Sequence, residues 1–590
     1  MKTTLKIINR LYSYIKKYRV LFFLSLTLSF VGTAISAIVP LLIADIIDYI
    51  SSNVQYINGQ VQSTIISSVI SSRIFRLALI VIGSQILNFF SYISMATVIQ
   101  NTVRDIRTSI SEKMQRLPIS YFDGQLQGDI LSRITNDIDN IGNSFQQGII
   151  PLFAAFLTII AVIIVLATIS IPILIVVGLI IPASIIISRL FVGKSQKYFE
   201  SLQIQLGQLN GFIQEDYSAF DVVKLYGQEE NSQDRFENII QDIQKNGFKG
   251  GILSAMIMPM SELIGVLAYI AITIIGSSFV LAGRLTIGIL AACCQYVWQI
   301  VQPISQITQL IPMAQACVAA SRRVFEILDE QEEPQEIEKL ALPTNLTGKV
   351  QFKKISFGYK ETKQQIRNLS FTAEAGQMIA IVGPTGAGKT TLINLLLRFY
   401  EISSGDILID DISINDLTKQ QLRSIFGMVL QDAWLYQSTI ADNIRFGNLA
   451  ASIEEIEQAA QTANIAPFIE KLPDGYNTIL NEETTNISQG QKQLLTIARA
   501  IIANPKILIL DEATSSVDTR LELLIQKAMQ KILKNRTSFV IAHRLSTVRE
   551  ADLILVLKDG EIVEQGTHEV LLKRKGFYEQ IYNSQFADAE

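Results

Sequence analysis

The sequence predicts an α-helical membrane domain of about six spans followed by a soluble α/β domain, and three observations carry that reading. Hydrophobic residues make up 49% of the 590 positions and charged residues only 18%, against about 25% charged in ordinary soluble domains. Apolar runs long enough to cross a bilayer, about 20 residues or more, crowd into the N-terminal half. After residue 329 the chain turns to short apolar strands alternating with helical runs, the pattern of a layered α/β domain.

The apolar runs lie near residues 20–44, 74–99, 148–168, 171–193, 252–283 and 286–311, which places the membrane domain over 1–328. The polar, acidic stretch Asp329-Glu330-Gln331-Glu332-Glu333-Pro334, continuing to Pro343, reads as a linker over 329–347. The soluble domain takes 348–590. Ahead of the first span stand Lys2, Lys6, Arg10, Lys16, Lys17 and Arg19 with no acidic residue, so the positive-inside rule places the N-terminus in the cytoplasm. The run from Val20 is too long for a signal-peptide core, and no cleaved leader is expected. Six spans then return the soluble domain to the cytoplasmic side of a multi-pass cell-membrane protein. Spans three and four meet at Thr168-Ile169-Ser170 and spans five and six at Gly283-Arg284-Leu285, both short outer turns. The inner connections, near 100–147 and 194–251, are long, charged and helix-patterned, so the helices should continue well past the bilayer.

Composition excludes several classes of function. The 50 basic and 54 acidic residues leave a net charge of -4 and a pI of about 5.6, without the basic footprint of a nucleic-acid partner. Cys293, Cys294 and Cys317 fall in or beside one apolar stretch, and His543 and His568 are the only histidines. A disulfide framework, a cysteine zinc site and a histidine cluster are therefore out. His568 matches no motif and reads as a surface residue.

In the soluble domain the apolar strand Met378-Ile379-Ala380-Ile381-Val382 runs into Gly383, Pro384, Thr385, Gly386, Ala387, Gly388, Lys389 and Thr390, followed by a helical run from Thr391. This is G-x-x-x-x-G-K-T in its strand–loop–helix context. Glycines let backbone N–H groups curl around phosphate at a helix start, where the dipole favours anions. Lys389 is expected on the β/γ phosphates of ATP and the Thr390 hydroxyl on Mg²⁺. A second apolar strand, Ile507-Leu508-Ile509-Leu510, ends in Asp511-Glu512. Asp511 belongs beside Mg²⁺, and Glu512 is placed to act as general base toward the attacking water.

Between these motifs lies Asn486-Ile487-Ser488-Gln489-Gly490-Gln491, leading into a helix. With this Ser-x-Gly-Gln signature the chain resembles ATP-binding cassette (ABC) exporters of the half-transporter type, and the resemblance covers essentially the whole chain. It implies the type I ABC exporter fold with a P-loop ATPase domain. By motif match, Tyr359 resembles the aromatic that stacks on adenine, and Gln431 the glutamine that touches Mg²⁺ and the membrane domain. Asp518 resembles an aspartate that crosses the dimer interface, and His543 the switch histidine at the γ-phosphate. The resemblance further implies a second subunit, with Ser488, Gln489, Gly490 and Gln491 facing the partner's ATP.

The signature departs from the family's common Leu-Ser-Gly-Gly-Gln: Ile487 replaces Leu and Gln489 stands at the first Gly. Asn481-Glu482-Glu483-Thr484-Thr485 departs as well, while Glu512, His543 and the phosphate loop are intact. That combination resembles the catalytically competent half of bacterial heterodimeric exporters and favours a heterodimer; the alternative is a homodimer that tolerates Gln489. Tyr121-Phe122-Asp123, with Gly128, Asp129 and Arg133, resembles the family's first cytoplasmic coupling loop, and Asp216-Tyr217-Ser218-Ala219-Phe220 the second.

Within span six, Gln295, Gln299, Gln302, Gln306 and Gln309 recur at steps of four and three, which holds them on one helical face. Amides facing lipid are costly, so the stripe either lines a substrate path or bonds between helices. Glu262 follows Met256, Met258, Pro259 and Met260 in span five and falls near the inner boundary. It either recruits cationic compounds or touches interfacial water. The expected function is ATP-driven, alternating-access export of amphiphilic, drug-like molecules. The alternatives are a lipid or peptide exporter, and an ATP-gated channel or regulatory subunit without turnover.

Overall fold

Inside a bilayer a backbone amide finds no water, so a long apolar run must satisfy itself as a helix, and the chain does so. The computed structural model describes residues 2–57, 60–63, 67–334, 336, 340–343, 345–359, 364–430, 433–481, 486–511, 519–542 and 545–585. Helix α1 (Lys2–Ile15) leads into α2 (Arg19–Asn53), an antiparallel hairpin of β1 (Val54–Ile57) and β2 (Gln60–Ser63), and α3 (Ser67–Arg116). The short α4 (Ile119–Asp123) and α5 (Gln127–Ser132) follow, then a π-helical turn at Arg133–Asp137 and α6 (Ile138–Ile169). Next come α7 (Ile171–Ser218), α8 (Phe220–Leu225), α9 (Glu229–Ala255), α10 (Ile257–Leu281) and α11 (Ile287–Asp329).

Among the described residues, six helical stretches are long and apolar enough to cross a membrane. Helices α3 and α7 hold 50 and 48 residues, about 75 and 72 Å at 1.5 Å per residue. Both exceed twice the hydrocarbon thickness of about 30 Å, so the helices outrun the bilayer as expected. The break between α9 and α10 has a local cause: Pro259 has no N–H to offer Ala255, and α9 ends there.

The chain divides into two compact units, Met1–Leu117 with Gln125–Gln331, and Pro118–Gly124 with Glu332–Glu590. In the first, helices meet through small residues and hydroxyls, as membrane helices must where lipid supplies no hydrophobic drive. Ser25 and Ser91, both buried, exchange hydroxyl-to-carbonyl bonds of 2.8 Å between α2 and α3. The buried Tyr296 hydroxyl of α11 donates to the Ala37 carbonyl of α2 at 2.8 Å. Cys293, Cys294 and Cys317 are free and buried.

The second unit is built on a sheet with strand order β12-β11-β5-β10-β9-β8: β5 (Met378–Val382), β8 (Phe426–Val429), β9 (Ile507–Asp511), β10 (Thr537–Ile541), β11 (Leu553–Lys558) and β12 (Glu561–Gly566). All neighbours are parallel except the edge strand β12. Strands β5, β9, β10 and β11 are nearly all apolar and buried, as parallel strands covered on both faces must be. A four-stranded antiparallel sheet, β4-β3-β6-β7, holds β3 (Val350–Phe357), β4 (Ile366–Ala373), β6 (Ser404–Ile409) and β7 (Ile412–Ser413). His568 corrects the surface expectation. It is half-buried, its Nδ1 lies 2.7 Å from the buried Tyr578 hydroxyl, and its ring packs on Tyr582, because the C-terminal helices fold back over the edge of the sheet.

Candidate active site

Strands β5, β10 and β9 end level with one another: Ile541 pairs with Ile381 on one side and with Asp511 on the other. The loop after β5 and the carboxylate ending β9 therefore open into one cleft of about 580 Å³. Its walls include Tyr359, Thr385, Gly386, Gly388, Lys389, Thr390, Thr391 and Asp511.

The loop geometry explains two of its glycines. Gly388, at φ 103°, ends the loop in the left-handed region, and a Cβ there would lie 2.8 Å from the Ile366 side chain. A Cβ on Gly383 would lie 2.4 Å from the Leu557 carbonyl of β11. The helix α12 (Lys389–Leu396) then starts at the cleft with no side-chain cap on its first turn. This leaves its N-terminal amides for an anion. Lys389 Nζ donates to the Gly383 carbonyl at 2.6 Å and the Pro384 carbonyl at 3.2 Å, which folds the ammonium across its own loop. Burial holds the Lys389 ammonium below the usual lysine value, and Asp511 pulls the other way.

Tyr359 stands at one side of the cleft, 44% exposed, with its hydroxyl 3.2 Å from that of Thr391. The cleft also takes in Gln364, Gln365, Arg367 and Asp559, which carried no motif signal in the sequence. Gln365 supports Tyr359 directly, its Oε1 accepting the Tyr359 amide at 3.3 Å. Pro384 and Ala387 complete the loop, and the Ala387 carbonyl accepts Gly560 N–H at 3.2 Å. The expectations for Gln431, Glu512, Asp518 and His543 lie outside the described residues.

The signature segment sits elsewhere in this unit. Ser488 caps the helix Gln489–Ala503, its amide donating to Gln491 Oε1 at 2.8 Å in a reciprocal capping box. Gln489 is exposed while Gly490 is buried. Ile487, where Leu is common, is buried in an apolar core with Leu494, Leu495 and Ile497 of the following helix.

On α11 the side chains of Gln295, Gln302 and Gln306 are exposed and Gln299 is half-buried, while Tyr296, Val297, Ile300, Val301 and Ile304 are buried on the other side. The Gln299 Oε1 atom is buried with no partner among the described residues. The Gln309 side chain lies outside them. Glu262 is exposed on α10.

Both halves of the chain match one family: residues 22–304 match the ABC transporter transmembrane region and residues 366–515 the ABC transporter domain. The chain belongs to the ABC transporter family. It is 47% identical over 483 residues to a fatty acid ABC transporter ATP-binding/permease protein of Mycobacterium tuberculosis, covering 82% of this chain and 76% of that one. It is 34% identical to an ATP-dependent lipid A-core flippase of Syntrophus aciditrophicus, over 85% of this chain and 83% of the relative. Among solved structures, a bacterial Atm1-family ABC exporter with ATP bound aligns at a TM-score of 0.74 and 27% identity, over 95% of this chain and 97% of that one. This ABC transporter chain thus has the exporter fold, binds ATP, and couples its hydrolysis to export across the membrane. As a half-transporter it requires a dimerisation partner.

Proposed function

We propose that this chain is the hydrolytically competent half of an exporter of fatty acids or related lipids. The observation that carries the cargo reading is the 47% identity over 82% of the chain to a fatty acid transporter, joined by likeness to a lipid flippase. Both turn the expectation away from drug-like compounds and toward the lipid alternative. The amide stripe of Gln295, Gln299, Gln302 and Gln306 supplies donors and acceptors for a polar headgroup along a path otherwise made of apolar helix.

In this reading Tyr359 stacks on adenine, the α12 amides and Lys389 hold the phosphates, and Glu512 draws a proton from the attacking water while His543 contacts the γ-phosphate. The Thr390 hydroxyl and Asp511 carboxylate line the same cleft and are the hard oxygen donors that suit Mg²⁺, with Gln431 as a third. The ion would neutralise charge building on the phosphates. Ser488, Gln489, Gly490, Gln491 and Asp518 would serve the partner's ATP. Tyr217, Leu225 and Tyr226, beside or within α8, are 83%, 78% and 70% exposed. That much aromatic and aliphatic surface supports a partner subunit docked there. Gln489 in the signature favours a different partner chain over a second copy.

The test uses inside-out vesicles containing the full chain with its partner. Labelled palmitate accumulates on ATP addition, and Glu512→Gln abolishes both accumulation and phosphate release. Accumulation of ethidium but not palmitate would overturn the cargo reading. Undiminished phosphate release in Glu512→Gln would overturn the assignment of the base.

A further inference from the structure

Two helices of the membrane unit carry the same pattern where they leave the bilayer. On α7, Ile186, Leu190, Lys194 and Lys197 follow at steps of four, four and three, so they share one face. On α9 and the residue after it, Lys245, Lys249, Ile252 and Met256 follow at steps of four, three and four. All eight side chains are exposed. Each helix thus presents two apolar residues on the bilayer side and two lysines beyond them. At 1.5 Å per residue, Lys194 and Lys197 lie about 35 and 39 Å from the start of α7. A bilayer of about 40–45 Å, headgroups included, has its inner headgroup layer at that depth.

The two faces are held side by side. Gly250 admits α9 against α7, since a Cβ there would lie 3.2 Å from the Tyr198 Cβ. Asn246 Nδ2 donates to Gln205 Oε1 at 3.1 Å and to Ser201 Oγ at 3.3 Å. Lys249 reaches across the pair, its Nζ 5.9 Å from the centre of the Tyr198 ring, and Tyr198 is next to Lys197 and one turn from Lys194. Elsewhere on this unit cations meet carboxylates: Arg107 with Asp139, Arg133 with Asp129, Lys224 with Glu229 and Arg323 with Asp137. Among the described residues, no ion pair holds Lys194, Lys197, Lys245 or Lys249. The acids nearest them in sequence are Glu200, which accepts Gln196 Nε2 at 3.0 Å, and Asp242, which pairs with neither helix's lysines. Four ammonium groups gathered on one surface repel one another until an anion arrives from outside.

We propose that Lys194, Lys197, Lys245 and Lys249 bind the phosphate headgroup of an anionic phospholipid in the cytoplasmic leaflet, with its acyl chains along Ile186, Leu190, Ile252 and Met256. Topology alone favours basic residues on this side of the membrane, but it does not require them to share a face with exposed apolar residues. A free fatty acid brings one carboxylate to four cations, whereas anionic headgroups crowd this layer and attract juxtamembrane lysines. Such a site serves whichever cargo is exported.

The experiment is native mass spectrometry of the full transporter with its partner in detergent, titrated with dioleoyl phosphatidylglycerol, dioleoyl phosphatidylcholine or oleate. Phosphatidylglycerol is expected to bind at least about 25-fold more tightly than phosphatidylcholine, which carries the same chains without net charge. Two lysines at a membrane surface are worth about that factor, so Lys245→Gln with Lys249→Gln weakens phosphatidylglycerol about 25-fold and leaves phosphatidylcholine unchanged. Arginine at both positions restores the preference. Lys6→Gln with Lys16→Gln removes the same charge from α1 and the turn after it, and is expected to change nothing; an equal loss there assigns the effect to net charge and overturns the site. Undiminished phosphatidylglycerol affinity in Lys245→Gln with Lys249→Gln overturns it as well. Oleate binding more tightly than phosphatidylglycerol, with the same dependence on these lysines, overturns the phospholipid assignment in favour of a carboxylate. If the α9 variant fails to assemble with its partner, Lys194→Gln with Lys197→Gln decides by the same criterion.

Discussion

The Asp48 carboxylate of α2 caps the start of α11, accepting the Gly288 amide at 2.7 Å and the Thr286 hydroxyl at 2.5 Å. The approach needs glycine, since a Cβ on Gly288 would lie 2.1 Å from the Ala44 carbonyl. Gly288→Ala should therefore push α2 and α11 apart and cost about 1–3 kcal/mol as overpacking does. Asp48→Ala removes the cap at about 0.5–2 kcal/mol. Thermal unfolding in detergent checks both, with Gly288→Ala expected to be the more damaging.

Arg323 grips Asp137 through two bonds, Nε at 2.7 Å and Nη2 at 2.5 Å, and joins α11 to the π-helical turn before α6. The pair is asymmetric: the Asp137 side chain is 4% exposed and that of Arg323 45%. Arg323→Ala strands a buried carboxylate and should cost about 3 kcal/mol. Asp137→Ala leaves a cation that reaches water and should cost roughly 1–2 kcal/mol. Denaturant unfolding of the two variants tests the order, and equal losses would contradict it.

Lys389→Ala removes the ammonium now held over the Gly383 and Pro384 carbonyls. Charge-assisted bonds contribute about 1.5–3 kcal/mol, so ATP binding should weaken roughly 10- to 150-fold. The fold itself should persist, because the Gly388 and Gly383 backbones shape the loop. Titration with a fluorescent ATP, alongside a melting curve, separates the two effects.

His568 carries a pH dependence. Burial first, then the nearby Arg549, holds its imidazole below the usual histidine value, against an opposing pull from Glu569. Tyr578, pushed up to about 12 by burial, stays neutral beside it, and Tyr582 packs on its ring. The unfolded chain then binds more protons than the folded one between the lowered value and 6.5, so stability is full above 6.5 and falls as the pH drops through this window. Melting of the parent should decline from pH 7.5 toward 5.5, and His568→Gln should flatten that slope. A slope unchanged in the variant would assign it to other groups.

The phosphate loop was legible because its chemistry is local. A strand, eight consecutive residues and a helix start suffice to define it, and the structure places Lys389, Thr390 and Asp511 on one cleft. Gln365 and Arg367 on that cleft were not legible, since a residue brought in by the neighbouring antiparallel sheet leaves no spacing to read. His568 was misread for a related reason: its cover comes from Tyr578 and Tyr582 on the next helix, and a lone histidine in a polar run carries no sign of that.

What the amino-acid order determined alone is the succession of six spanning helices and a phosphate-binding α/β domain. Apolar length and glycine placement act within a few residues of themselves. Tertiary structure decided which distant groups meet: Arg323 with Asp137 across 186 positions, Gly288 with Asp48 across 240 and Tyr400 with Asp123 across 277. Such pairs form only after helices and strands have packed. Their partners are chosen by the shape of the packed surfaces, which no periodicity along the chain encodes.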